Sequence, residues 1–109
     1  MSGPDIGELR RRLTLEQAQR VSDGAGGFTE TWVEVATVWA ALRPSGGSEA
    51  VEADRLAGRV SHEVVLRYRP GVTPAMHFRL GARVFHILAA IDVDERKTWL
   101  RCQCEERDL

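Results

Sequence analysis

Apolar and polar residues alternate along most of this chain with a period of two, the spacing of a strand that buries one face. Leu13 and Leu15 face one way against Arg12, Thr14 and Glu16, which predicts a first strand over Arg11 to Arg20. Phe28 to Arg43 is long and rich in Thr, Val and Trp, which favours strand. Within it Val38, Ala40 and Leu42 alternate with Trp39, Ala41 and Arg43, and Thr29 to Ala36 reads as a separate segment or as the site of a bend. The cleanest pattern is Val60, His62, Val64, Leu66 and Tyr68 against Ser61, Glu63, Val65, Arg67 and Arg69. Met76, Phe78 and Leu80 follow, and Gly81-Ala82 suits a two-residue type II′ turn into a strand from Arg83 to Val93. A charged turn over Asp92 to Lys97 precedes a last strand. Its inner face is Thr98, Leu100, Cys102 and Cys104, and its outer face is Trp99, Arg101, Gln103 and Glu105.

The breaks in this pattern carry information too. Gly3, Pro4 and Gly7 make residues 1–8 a flexible arm. Asp23, Gly24, Gly26 and Gly27 predict a mobile hairpin loop. After Pro44 the segment 45–58 reads as an insert with one short helix from Ser48 to Ala57. Ser48 is its N-cap, Glu49 and Glu52 stand in its first turn, and Gly58 ends it. The expectation is a mainly β chain: one domain over residues 1–109, a small antiparallel barrel or sandwich of about six strands with one short inserted helix.

Composition narrows the function. The net charge is -1 with 28% charged residues, which argues against a dedicated nucleic-acid binder. Of 15 basic residues only Lys97 is lysine, a bias that fits a GC-rich genome and also suits arginine ion pairs between subunits. No secretory leader or membrane-length apolar run is expected, and Cys102 and Cys104 read as reduced thiols made in a cytoplasm. His62, His77 and His86 lack ligand-like spacing, so no metal and no cofactor is expected. Nucleophile and phosphate-loop motifs are absent, which points away from an enzyme. Trp39 and Trp99 lie opposite the core face and read as interface residues, together with Arg67, Arg69, Glu49, Glu52 and Arg55. A rival reading is an OB-like nucleic-acid-binding barrel that uses Arg67, Arg69, Arg79 and Arg83 as a basic stripe.

The order of features resembles the phage head-tail joining family of adaptors and stoppers, from about Leu9 to Cys104. The resemblance rests on Leu9-Arg10-Arg11-Arg12-Leu13, the Gly26-Gly27 hairpin with Trp32, and Val38-Trp39-Ala40-Ala41-Leu42-Arg43-Pro44 with Gly47 and Glu49. It continues through His62, Leu66-Arg67-Tyr68-Arg69, Met76 to Gly81 and Arg83 to Ile87, while the turn at Asp92 to Arg96 lacks the glycine often found there. The resemblance implies a non-enzymatic structural subunit of the head-tail connector of a tailed phage or gene transfer agent. It implies a cyclic homo-oligomer of six or twelve copies between a portal-side adaptor and tail terminator or tail tube proteins, with DNA passing through without sequence-specific binding and no membrane. On this view the protein is made in the bacterial cytoplasm and assembled at the head-tail junction. The 45–58 insert and the loop at residues 21–27 are expected to touch neighbours or the channel.

Overall fold

The computed structural model describes residues 6–45 and 58–107. The expected helix, and with it Glu49, Glu52 and Arg55, lies outside the described residues. After a 3-10 turn at Ile6–Glu8 come six strands: β1 (Arg11–Ser22), β2 (Phe28–Pro44), β3 (Arg59–Arg67), β4 (Met76–Leu80), β5 (Arg83–Asp92) and β6 (Trp99–Arg107). All pairings are antiparallel, and the order β1-β2-β3-β6-β5-β4 closes into a barrel. The fold is thus two three-stranded meanders joined edge to edge, β3 on β6 and β4 on β1. Closure leaves the shared wall without free edges.

Residues directly opposite one another on paired strands share a face, so the register assigns each side chain to the inside or the outside. The interior holds Leu13, Leu15, Ala40, Val64, Leu66, Met76, Phe78, Phe85, Ile87, Leu100, Cys102 and Cys104. These are the alternate positions of the sequence pattern. Both cysteines are free and buried, as small hydrophobes would be, and burial pushes the Cys102 thiol up to about 12.

Two bulges adjust the wall. Leu15 pairs with Ala36 but Glu16 pairs with Glu34, so Val35 is the extra residue and stands 40% exposed. The long second strand therefore bends there and does not divide. Likewise Ile87 pairs with Cys104 and Ala89 with Gln103, so Leu88 is left over and exposed. The run of apolar residues in β5 hides this slip.

Turns follow backbone chemistry. Gly81 has φ +61, as the first central residue of a type II′ turn requires, and Leu80 pairs with Arg83 across it. At the turn without glycine, Asp94, Glu95 and Lys97 all adopt positive φ. The Asp92 carboxylate accepts the Lys97 N–H at 2.9 Å and ties the turn back to β5. The β1–β2 loop is closed by its own hydrogen bonds. Asp23 Oδ1 accepts the N–H groups of Ala25 (2.8 Å) and Gly27 (3.1 Å), and the Asp23 N–H donates to the Gly27 carbonyl at 3.1 Å. The glycines supply the positive φ this closed loop needs, at Gly24 and Gly26.

Candidate assembly interface

Among the described residues, the pairing leaves one part of the fold without strand neighbours. On β1, β4 covers only Thr14 to Gln17, and on β2, β3 covers only Ala40 to Pro44. Beyond these limits Ala18 to Ser22 pairs with Phe28 to Trp32 as a two-stranded ribbon. Both its edges carry open backbone donors and acceptors, and such a ribbon is barely stable alone. It also bears Val21, Phe28 and Trp32, all exposed.

The ribbon is fixed at its base by an aromatic latch. The Trp32 ring stacks on His77, with centroids 3.8 Å apart and planes 28° apart. His77 Nε2 lies 2.7 Å from Glu16 Oε1, and Arg79 Nε donates to Glu16 Oε2 at 3.1 Å. Glu16 and His77 are both buried although they stand on the outer face of the wall. Burial alone would push the Glu16 carboxyl up, but hydrogen bonds from His77 and Arg79 together hold it below the usual carboxylate value.

A second cluster of the same composition sits inside the barrel. Glu106 continues the inner line of Leu100, Cys102 and Cys104, and only 4% of it is exposed. His62 Nε2 lies 3.0 Å from Glu106 Oε1, and Arg83 donates to both carboxylate oxygens at 2.8 and 2.9 Å. The bidentate Arg83 bond lowers the Glu106 pKa against burial, His62 adds to this, and the arginine pKa rises in return. Arg83 also lies over the Phe85 ring at 5.0 Å, and His62 meets that ring edge-on. The cluster thus closes one end of the apolar core.

A cleft of about 500 Å³ runs between the two clusters, lined by Trp32, His77, Arg83, Val84, His86 and Glu106 among others. Its one lining carboxylate, Glu106, is the group held below the usual carboxylate value by the Arg83 guanidinium bonded to it.

The expected basic stripe is not formed as drawn. Arg79 and Arg83 are committed to Glu16 and Glu106. Arg67 pairs with Trp99 at one end of β6, while Phe85 pairs with Glu106 near the other. Seven residues of strand separate Trp99 from Glu106, about 23 Å. Arg67 and Arg69 instead line a groove of about 260 Å³ with Leu9, Val38, Trp39, Leu66 and Tyr68. Trp39 is 57% exposed there. Trp99 is half-buried under the Arg67 guanidinium, 5.6 Å from the ring centroid. The loop residues Asp23, Gly24, Gly26 and Gly27 form the ribbon tip, far along β2 from this groove.

The sequence pattern of the phage head completion proteins matches residues 4–107. The chain belongs to that family. The family is structural and non-enzymatic. A solved chain from the virion of a native gene transfer agent particle is 31% identical, covers 92% of this chain and 96% of its own length, and superposes with a TM-score of 0.64. The solution structure of a Shigella flexneri 2a protein is 26% identical over 94% of this chain and 96% of that one, with a TM-score of 0.70. No curated protein matches.

The latch makes a specific expectation. Trp32→Ala removes the stacked ring that joins ribbon to barrel, a contact of about 1 kcal/mol. Amide exchange in residues 18–22 and 28–34 should then speed up roughly fivefold, as a loss of that size implies, with β3 and β6 unchanged. Exchange measured residue by residue by NMR checks it, and unaltered ribbon exchange would show that the stack does not hold the ribbon.

Proposed function

We propose that this head completion protein is a ring-forming connector subunit at the junction of head and tail in a phage or gene transfer agent particle. The observation that carries this reading is the likeness to a gene transfer agent virion chain, which spans 92% of this chain and 96% of that one. The surface supports it: a closed barrel with a projecting ribbon and a separate aromatic groove has two different patches for neighbours. Heterologous contacts of that kind close into rings when the rotation between copies permits. Six or twelve copies would sit between a portal-side adaptor and the tail terminator or tube, around the path of the DNA. A near-neutral subunit lets DNA pass without trapping it. The 45–58 insert is the segment proposed to face the channel or a neighbour.

Particles assembled without this chain should accumulate as filled or leaking heads beside free tails, and added purified protein should restore joining. Electron microscopy of complete particles should place its density at the head–tail junction as a ring. Density elsewhere in the particle would end the proposal.

A further inference from the structure

The exposed side chains of the described residues form two stripes of opposite charge. On β2, alternate residues share a face, so Phe28, Glu30, Trp32 and Glu34 line one side of the ribbon, aromatic and acidic in turn. Phe28 is 62% exposed even with Arg20 set over its ring at 5.0 Å, and Glu30 and Glu34 are exposed; Arg20 stands opposite Glu30 on the same face, so the two carboxylates outweigh one arginine and the stripe is net acidic. The second stripe crosses the strands. Arg12 pairs with Trp39, Trp39 and Arg67 line the same groove, and Arg67 pairs with Trp99. The row Arg12, Trp39, Arg67, Trp99 therefore runs over β1, β2, β3 and β6 on the outer wall, and Arg69 adds a further cation at the groove.

The two stripes cannot meet within one molecule. Phe28 and Trp39 lie eleven positions apart on a strand that bends at Val35, up to about 35 Å, and the ribbon points away from the groove. Any pairing between them is in trans. The chemistry favours it: an apolar groove rimmed by arginines takes an aromatic side chain flanked by carboxylates, and buried Trp and Arg are the residues that dominate interface energetics. A nucleic-acid strand fits less well. The groove walls Leu9, Val38 and Leu66 are apolar, and the Arg67 guanidinium already occupies a face of Trp99.

We infer that the β1–β2 ribbon of one copy docks, through Phe28 and Glu30, in the Trp39–Arg67–Arg69 groove of the next copy. This inference rests on the ring reading and names the contact that builds the ring. The contact is heterologous: each copy gives a ribbon and receives one, so the chain of contacts ends only on closure.

The test uses complete particles carrying Phe28→Cys together with Arg69→Cys. The native Cys102 and Cys104 are buried and do not compete. Mild oxidation should give a ladder of covalent multimers on non-reducing gels, ending at the ring number, while either single variant gives none. A double variant that stays monomeric in complete particles overturns the inference. So does a Phe28→Cys single variant that gives dimers, since ribbon would then face ribbon. As a second arm, Arg67→Glu with Arg69→Glu should cut complete particles roughly tenfold, as loss of interface hot spots does. Adding Glu30→Arg and Glu34→Arg should restore most of them. Loss without recovery, or no loss, counts against the docking. The proteins' melting curves establish that each variant folds. Failure of the ring reading has a different signature, because the wild-type density would then be missing from the junction.

Discussion

Phe85→Ala is expected to lower the free energy of unfolding by about 4 kcal/mol. Phe85 is fully buried near the start of β5, opposite Phe78 on β4. Its ring also carries the Arg83 guanidinium on one side and the His62 edge on another. Truncation leaves a cavity that strands of a closed barrel cannot collapse into, since each is hydrogen-bonded on both sides. It also removes the apolar floor under the Glu106 cluster. A domain of this length has a total stability on the order of 5–15 kcal/mol, so the loss is a large share of it. Urea unfolding of the purified variant checks it, read as a fall in midpoint with unchanged slope. Phe28→Ala is the control. That ring is mostly solvent-exposed, and its loss should change stability by less than about 0.5 kcal/mol while still impairing assembly. Equal destabilisation by the two variants would mean that the ribbon is not the free element described above.

The sequence made the strands legible because nearly every one buries a single face. Val60 to Leu66 puts its even positions inside as the pattern predicts, with one exception: Val65 is buried on the other face, opposite the equally buried Ala41. Barrel closure was less legible. The pairing of β3 with β6 and of β1 with β4 joins segments far apart in the chain, and no local pattern encodes that choice. Val35 and Leu88 became bulges without glycine or proline to mark them. The ion-paired clusters were missed for a similar reason: Glu16 and His77 are 61 residues apart, and His62 and Glu106 are 44 apart. A signal was nevertheless present. His62 stands among Val60 and Val64, and Glu106 extends the line of Cys102 and Cys104. A base and an acid placed separately on apolar faces each need a partner that the core can supply only as the other. Following that need would also have withdrawn Arg83 from the basic stripe. Trp39 and Arg67 were legible as outward residues from alternation alone, whereas their joining in one groove depended on the β2–β3 register.

Glu106→Ala is expected to cost about 2–3 kcal/mol of stability near neutral pH, because it strands His62 and Arg83 at the end of the core. The value lies below that for a fully enclosed pair because the Arg83 side chain is 45% exposed and solvent screens it. The conservative variant Glu106→Gln separates charge from shape through pH. In the folded protein Arg83 holds the Glu106 carboxyl below its usual value of 4.5. The folded state therefore binds this proton less readily than the unfolded chain does. The stabilisation is complete above about pH 4.5 and is lost as the pH falls through the folded value. Glu16 behaves in the same direction. Wild-type stability should thus show no loss from these carboxylates between about pH 7 and 5, and should fall steeply below about pH 4.5. Glu106→Gln lacks one of the two titrations, so its acid limb should be shallower and its deficit relative to wild type should shrink on acidification. Unfolding curves taken across that range decide the matter. A deficit that stayed constant down to about pH 3 would mean that the folded and unfolded chains bind the Glu106 proton equally, and the buried ion pair would then contribute nothing to holding the barrel end closed.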